Sequence, residues 1–174
     1  MAKIAAILTD WFEDVEYTKP ADAFREAGHT VTTVGLTAGA AVIGKKEWTK
    51  VTVDASFDDV TPDEFDALLI PGGYSPDKLR AHEKPVAFVR AFVRAFMEEG
   101  KPVFSICHAP QILITAKTLK GRRVTGYISI VQDIINAGAD YEDKEVIVDG
   151  NLVTSRQPSD IPAFIRESLK LLEG

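Results

Sequence analysis

The sequence predicts an α/β protein with a mainly parallel sheet and helices on both of its faces. Strand-like and helix-like segments alternate along the chain, with no linker, internal repeat or low-complexity segment between them. The chain has 174 residues, 45% of them hydrophobic, which is enough for one sizeable core. We therefore expect a single domain over residues 1–174, in which the crossover connections are right-handed.

The first part of the chain predicts two strands with a helix between them. Apolar residues run through 3–9, which predicts the first strand. Residues 16–27 have helical spacing and end at Gly28, a residue type that commonly follows a helix. Residues 30–35 are rich in β-branched side chains and predict the second strand.

The middle of the chain continues the alternation. Residues 40–43 and 51–54 suit a small hairpin, and 65–70 predicts a buried strand that ends in the sequence Pro-Gly-Gly. Residues 85–99 form a strongly amphipathic helix, and Gly100 stops it.

The last part repeats the pattern with shorter elements. Residues 103–106 predict a buried strand and 109–117 a helix with proline in its first turn. The later elements are a short strand at 123–126, a helix at 128–137, strands near 141, at 146–148 and at 152–155, and a helix at 159–172. Asp149-Gly150 is a tight-turn signal, and Ser159 or Asp160 suits the N-cap of the last helix.

Cys107, the only cysteine, falls on the corner between a predicted strand and a predicted helix. A lone cysteine is commonly a small buried hydrophobe. This position favours a reactive nucleophile instead, because open α/β sheets bind ligands at the carboxyl ends of their strands. Free backbone N–H groups and the positive end of a helix dipole would favour the thiolate there.

Three other segments should reach the same edge of the sheet. The loop after the first strand brings Glu13, Asp14 and Glu16 near a helix start, and a buried carboxyl there could exchange protons near neutral pH. Residues 156–160 follow the last strand and could line the same pocket.

The third segment is Gly72-Gly73, which could be only a tight turn. Beside a nucleophile, a glycine N–H could supply half of an oxyanion hole and the N–H of His108 the other half. No histidine follows His108, which argues against the cysteine, histidine and acid arrangement of a glutamine amidotransferase. The His108 side chain can act with the thiol only if the corner bends sharply or if a substrate lies between the two residues.

Charge and composition exclude several classes of function. The 26 acidic residues outnumber the 20 Lys and Arg, which argues against a nucleic-acid partner. The basic runs at 44–50 and 117–123 are interpreted as solvated faces. No segment is apolar for the length of a membrane helix, and one cysteine allows neither an internal disulfide nor a cysteine-rich zinc site, so we expect a cytoplasmic protein.

Five motifs together resemble the PfpI branch of the PfpI/ThiJ superfamily of class I glutamine amidotransferase-like proteins. They are FEDVE, FDALLIPGG, GKPVFSICHAPQIL, INAGA and VDGNLVTSRQPSD, in the same order as in the family. The resemblance runs from about residue 3 to the last helix. It implies a flavodoxin-like three-layer α/β/α sandwich with a nucleophile elbow, no metal or organic cofactor, and a homodimer that can assemble into a hexamer.

The resemblance also assigns residues. It places the family's nucleophile on Cys107 with His108 beside it, the thiol-paired acid on Glu16, a second pocket acid on Glu13 and the oxyanion position on Gly73. In PfpI-type peptidases a glutamate after the Pro-Gly-Gly turn crosses the subunit interface to orient the histidine. Asp77 stands there in this chain and is one methylene shorter, which weakens the peptidase interpretation.

Three classes of function remain open from the sequence. The favoured one is an enzyme that acts on methylglyoxal, glyoxal or glycated adducts through the Cys107 thiolate, with an intracellular cysteine peptidase as its alternative. The second is a redox-sensing stress protein or chaperone in which Cys107 is oxidised reversibly. The third is an interaction module whose oligomeric surfaces, with Trp11, Trp48 and Tyr74 as candidate contacts, carry the function.

Overall fold

A computed structural model describes the backbone of residues 1–174 and the side chains of all residues except 96–99. The strands are β1 (Lys3–Ile7), β2 (Thr30–Gly35), β3 (Ala41–Ile43), β4 (Lys50–Thr52), β5 (Ala55–Ser56), β6 (Ala67–Ile70), β7 (Val103–Ile106), β8 (Arg123–Val124), β9 (Asp140–Tyr141), β10 (Ile147–Asp149) and β11 (Leu152–Ser155). The α-helices are α1 (Asp14–Glu26), α2 (Ser75–Leu79), α3 (Glu83–Glu99), α4 (Pro110–Thr115), α5 (Val131–Asn136) and α6 (Ile161–Glu173).

Seven strands form the central sheet in the order β10-β11-β7-β6-β1-β2-β5. Every neighbouring pair is parallel except β10 and β11, which form an antiparallel hairpin at one edge. The prediction of a mainly parallel α/β sheet is confirmed. Because β1, β6 and β7 lie in the middle, their carboxyl ends bring the loops at 8–13, 71–74 and 107–109 together.

Two apolar clusters cover the two faces of this sheet. On β1, Ala5 and Ile7 belong to the cluster that contains residues of α3 and α4. Ile4 and Ala6 belong to the other cluster, which contains residues of α1 and α6. Successive side chains of a strand point to opposite faces, so the fully buried run at the start of the chain serves two cores and produces the three layers.

The element boundaries differ from the predictions where local patterns are short. Helix α2 has five residues and two-residue β5 completes the sheet edge; neither was predicted, since neither is long enough to show periodicity. The predicted helix at 128–137 begins as a 3₁₀ turn, and the predicted strand at 123–126 shortens to β8, which pairs with β9 outside the central sheet. Among the described helices, none has the length and apolar character needed to cross a membrane.

Phe24 on α1 tests how strongly the sheet and its helices depend on this packing. Its ring is fully buried and lies 5.5 Å, centroid to centroid, from that of Phe104 on β7. Phe24→Ala should lower the free energy of unfolding by about 3–5 kcal/mol, because it removes apolar contacts and leaves a cavity. The exposed Lys19→Ala on the same helix should change it by less than about 0.5 kcal/mol in the same urea titration. Equal losses in the two variants would contradict the assignment of this core.

Candidate active site

Cys107 lies on a strained turn directly after β7. Its φ angle is 64°, in the left-handed region that non-glycine residues rarely adopt. Its N–H donates to the carbonyl of Ser155 at 3.0 Å, and its own carbonyl accepts the N–H of Tyr127 at 2.8 Å. These bonds hold the strained backbone from two sides. The prediction that the cysteine sits on an elbow between strand and helix is confirmed.

Glu16 supplies a fully buried carboxyl group beside this thiol. Its Oε1 accepts the N–H of Gly72 at 2.9 Å, and the carboxyl lies within hydrogen-bond reach of the Cys107 side chain. Oε2 accepts no bond from any described N–H or O–H group. Burial, followed by the negative charge of Glu13, raises the pKa of Glu16 to about 8. The carboxyl is therefore mainly protonated at neutral pH and can share its proton with the thiol.

The structure corrects the expectation that the elbow simply lowers the pKa of the thiol. Burial raises the pKa of Cys107 first, and the nearby Glu16 carboxyl raises it further. The N–H of His108 and the charge of Lys45 act in the opposite direction. The contribution of Glu16 depends on that carboxyl being ionised, so protonation of Glu16 makes the thiolate easier to form. Thiol and carboxyl titrate as a coupled pair.

Of the two expected oxyanion donors, the N–H of His108 lies next to the thiol, and the N–H of Gly73 belongs to the turn that passes beside Cys107 at Gly72. The N–H of Gly73 meets no acceptor among the described residues, and the N–H of His108 is directed at Cys107. Gly73 has a φ of 77°, and a Cβ atom there would lie 2.6 Å from the carbonyl oxygen of Trp11. Only glycine fits this turn, and its N–H remains available as a donor.

Glu13 is also buried, but it forms ion pairs. Its two carboxylate oxygens lie 3.0 Å from the ammonium groups of Lys45 and Lys46. The interpretation of residues 44–50 as a solvated face is wrong for Lys45, which is largely buried, whereas Lys46 pairs with Glu13 but remains mostly exposed. Residues 10–14 contain three acidic side chains, and buried carboxylates require cationic or hydrogen-bonding partners. That acidic run was the sequence signal that could have indicated a contact with the basic loop at 44–50.

Asp14 fixes the loop that carries the two lysines. Its carboxylate accepts the N–H of Lys46 at 2.9 Å and that of Thr49 at 3.0 Å. Burial raises the pKa of Asp14, but these hydrogen bonds outweigh it and lower the pKa to about 2. A Cβ atom at Gly44 would collide with this carboxylate. Asp14 therefore acts as a permanently charged clamp rather than as a proton carrier.

The structure does not bring Asp77 into contact with His108. The His108 ring is half-buried and stacks on Tyr127 with centroids 4.9 Å apart. Burial, together with the charge of Lys45, lowers the pKa of His108. The Asp77 side chain is 53% exposed and lies 3.0 Å from the Nε of Arg80 on the same turn. Within one chain, Asp77 affects the histidine only through its charge.

The segment after β11 borders the site, as the sequence suggested. Asp160, expected as a helix N-cap, makes no side-chain capping bond. Its carboxylate instead holds the Arg156 guanidinium through two bonds of 2.9 Å, while Asp143 accepts a third at 3.0 Å. This arrangement fixes the turn whose other residues face the thiol.

These segments enclose a cleft of about 470 Å³. Its lining residues are Glu13, Lys45, Lys46, Tyr74, Cys107, His108, Tyr127, Gln157, Pro158 and Ser159. No cluster of histidine, cysteine, aspartate or glutamate among the described residues has the geometry to hold a metal ion. The chemistry available from this part of the chain is that of a thiol, a neutral carboxyl, a half-buried imidazole and two backbone donors.

Comparison with known proteins gives one consistent result. A sequence model of the DJ-1/PfpI family matches residues 2–171. General stress protein 18 of Bacillus subtilis strain 168 is 60% identical over 98% of this chain and 98% of its own length. Protein/nucleic acid deglycase 2 of Escherichia coli strain K12 is 56% identical over 98% of this chain and 97% of its own length.

A solved structure shows the same fold. It is a two-domain protein from Anabaena variabilis with DJ-1/ThiJ/PfpI-like and ferritin-like domains. It superposes on 99% of this chain, which spans 48% of that protein, with a TM-score of 0.94 and 38% identity.

The pKa of Glu16 predicts how stability depends on pH. The protonated carboxyl contributes stability that is complete below the unfolded pKa, near 4.5, and is lost as the pH rises through the folded pKa, about 8. Glu16→Gln stays neutral and should lack this dependence, which is at most about 1.4 kcal/mol per pH unit. Urea titrations of both proteins between about pH 5 and about pH 8 measure it. Parallel pH profiles would contradict a raised pKa at Glu16.

Proposed function

Because this chain belongs to the DJ-1/PfpI family, we propose that it is a cysteine-dependent enzyme acting on reactive aldehydes and their glycated adducts. Its substrates are methylglyoxal, glyoxal and the adducts that these form with amines or thiols. The products are the corresponding hydroxy acid and, from an adduct, the released amine or thiol.

The observation that carries this proposal is the contact between the Cys107 thiol and a buried carboxyl with a pKa of about 8. A thiol beside a carboxyl that titrates near neutral pH can form a nucleophile, and the carboxyl can later move a proton between neighbouring carbon atoms. Aldehyde isomerisation needs both steps. The cleft is also of a size that admits a three-carbon substrate with part of the molecule attached to it.

In the first step the Cys107 thiol loses its proton to solvent, and the thiolate attacks the aldehyde carbon of methylglyoxal. A carbon–sulfur bond forms while the carbon–oxygen double bond opens to an oxyanion. We assign the N–H groups of Gly73 and His108 to that oxyanion, and Glu16 then gives it a proton to form a hemithioacetal. In an amine adduct the same carbon exchanges its bond to nitrogen for the bond to sulfur, and the amine leaves with a proton.

The second step moves a proton between the two substrate carbons. The Glu16 carboxylate, ionised by the first step, removes the proton from the carbon bonded to sulfur and returns it to the neighbouring carbonyl carbon, while the hydroxyl proton of the hemithioacetal passes to the oxygen of that carbonyl. The result is a thioester of lactate. Water hydrolyses it, so that methylglyoxal and one water give lactate and the free thiol. No external oxidant or reductant is needed, because one carbon is oxidised as its neighbour is reduced.

The comparisons support the proposal at a coarser level. The Escherichia coli relative is named a deglycase and the Bacillus subtilis relative a stress protein, and each aligns over nearly its whole length. Enzymatic activity of a deglycase type is thus the simplest assignment for this chain.

We further propose that the chain forms a homodimer in which Asp77 approaches His108 of a second subunit. The exposed Asp77 carboxylate is free to face another molecule on the side away from Arg80. Such a pair would orient the imidazole as a peptidase requires, whereas the aldehyde reaction relies on Cys107 and Glu16. A peptidase activity is therefore expected to depend on Asp77 more strongly than the aldehyde activity does.

The first test is the loss of lactate production from methylglyoxal. Cys107→Ser should reduce kcat/KM by about a thousandfold or more, because it removes the nucleophile. Glu16→Gln should reduce kcat by about 10²- to 10⁴-fold, because glutamine cannot carry a proton. Circular dichroism and size-exclusion chromatography check that both variants fold like the wild type. Methylglyoxal turnover that is retained in Cys107→Ser would contradict the proposal.

Mixing two variants tests the role of Asp77. Asp77→Asn should lose peptidase activity while it retains most aldehyde turnover, and Cys107→Ser should lose both. Unfolded together and refolded, they would form mixed dimers in which one site combines Cys107 with Asp77 of the partner subunit. Peptidase activity should then return to a fraction of the wild-type value. A mixture that stays as inactive as its components would contradict a shared site.

A further inference from the structure

The cleft above Cys107 has a local excess of positive charge in a protein whose net charge is -6. Two ammonium groups, those of Lys45 and Lys46, share the single Glu13 carboxylate. Glu13 is the one carboxylate among the described residues that line the cleft. Glu16 beneath it is mainly neutral at pH 7, and Asp77 nearby is paired with Arg80. The side chains that line the cleft therefore carry one more positive than negative charge, and the ionised Asp14 lies behind them, where it binds the backbone of the loop.

Lys45 carries this charge closer to the chemistry than Lys46 does. The Lys45 side chain is 29% exposed and that of Lys46 is 64% exposed. The Lys45 ammonium also lies 5.3 Å from the centre of the Tyr74 ring. Its charge acts on both Cys107 and His108. Partial burial reduces screening by water, so this cation exerts a stronger field inside the cleft.

The backbone holds Lys45 in place independently of its charge. Its N–H donates to the carbonyl of Phe12 at 2.9 Å, and the Asp14 clamp binds the next residues of the loop. A cation that is fixed before the ligand arrives loses little freedom on binding.

We propose that Lys45 makes this cleft selective for electrophiles that carry a carboxylate or a similar anionic group beside the carbon that Cys107 attacks. This inference rests on the function proposed above. The preferred substrates of that reaction are adducts whose amine or thiol part bears a carboxylate. Lys45 binds that group while Cys107 attacks the neighbouring carbon. Neutral dicarbonyls of the same size are poorer substrates because they leave this cation without a partner.

Alkylation of Cys107 tests the selectivity without any turnover. Iodoacetate and iodoacetamide have nearly the same size and the same reacting carbon, and both lose iodide to the thiolate, but only iodoacetate is charged. The ratio of the two rates in the native protein, divided by the ratio in the denatured chain, should be about 10. Because both reagents react with the same thiol, changes in the reactivity of the thiol cancel within each variant.

Three variants show whether Lys45 is responsible. Lys45→Met should bring the normalised ratio to about 1, and Lys45→Arg, which keeps the charge, should keep it well above 1. The control is Lys50→Met, which removes the same charge from an exposed position on β4 of the same hairpin and should leave the ratio high. If Lys45→Met does not fold by circular dichroism, Lys45→Gln replaces it. A ratio that survives loss of Lys45, or falls equally with Lys50→Met, overturns the proposal.

A turnover experiment separates this inference from the proposed function. Its substrates are the methylglyoxal hemithioacetals of N-acetylcysteine, which has a carboxylate, and of N-acetylcysteine amide, which does not. Wild type should prefer the former in kcat/KM by about tenfold, and Lys45→Met should lose the preference. Turnover of both without preference overturns the inference alone. Anion-selective alkylation without turnover of either substrate overturns the proposed function and leaves the selectivity of Lys45 supported.

Discussion

The hydrogen bond from the Gly72 N–H to the buried carboxyl of Glu16 joins the three segments on which the site depends. Glu16 belongs to α1, Gly72 to the turn after β6, and the thiol beside them to the elbow after β7. A Cβ atom at position 72 would lie 2.5 Å from Glu16 Oε1 and 2.9 Å from Cys107 Cβ. Only glycine at position 72 leaves room for both the buried Glu16 carboxyl and the Cys107 side chain.

Two acids on the first turn of α1 show how the surroundings of a buried carboxyl set its pKa. Asp14 and Glu16 are both buried, yet the pKa of Asp14 is about 2 and that of Glu16 about 8. Asp14 accepts several N–H groups from the hairpin loop, whereas Glu16 accepts one from Gly72. Burial raises the pKa of both groups, more strongly for Glu16, which also lies near the charge of Glu13, whereas Asp14 has enough donors to offset its smaller penalty. One carboxyl is thereby a fixed structural anion and the other a proton carrier at neutral pH.

The loops at the carboxyl edge of the sheet carry the chemistry because β1, β6 and β7 are adjacent there. The small hairpin of β3 and β4 adds what the sheet alone lacks, a cation above the thiol. It is held at the site by the Asp14 clamp, by two backbone hydrogen bonds between residues 11–12 and 43–45, and by a bond from the Ile43 N–H to the Asp10 carboxylate. A strand order that moved this hairpin elsewhere would leave Glu13 buried and unpaired, which is costly.

Local patterns alone determined the fold class, the elbow and the loops that meet at it. The apolar run before Cys107, the glycines after β6 and the acids before α1 are each local signals, since their residue types restrict the backbone or the partner they need. The tertiary structure decided which of three neighbouring acids faces the thiol, because a helix directs residues two apart to different sides. It also decided that Lys45 belongs to the cleft, that Asp77 does not reach His108 within one chain, and that burial raises the thiol pKa. Each of these features depends on the packing of segments that are distant in sequence, so a local sequence pattern does not predict it.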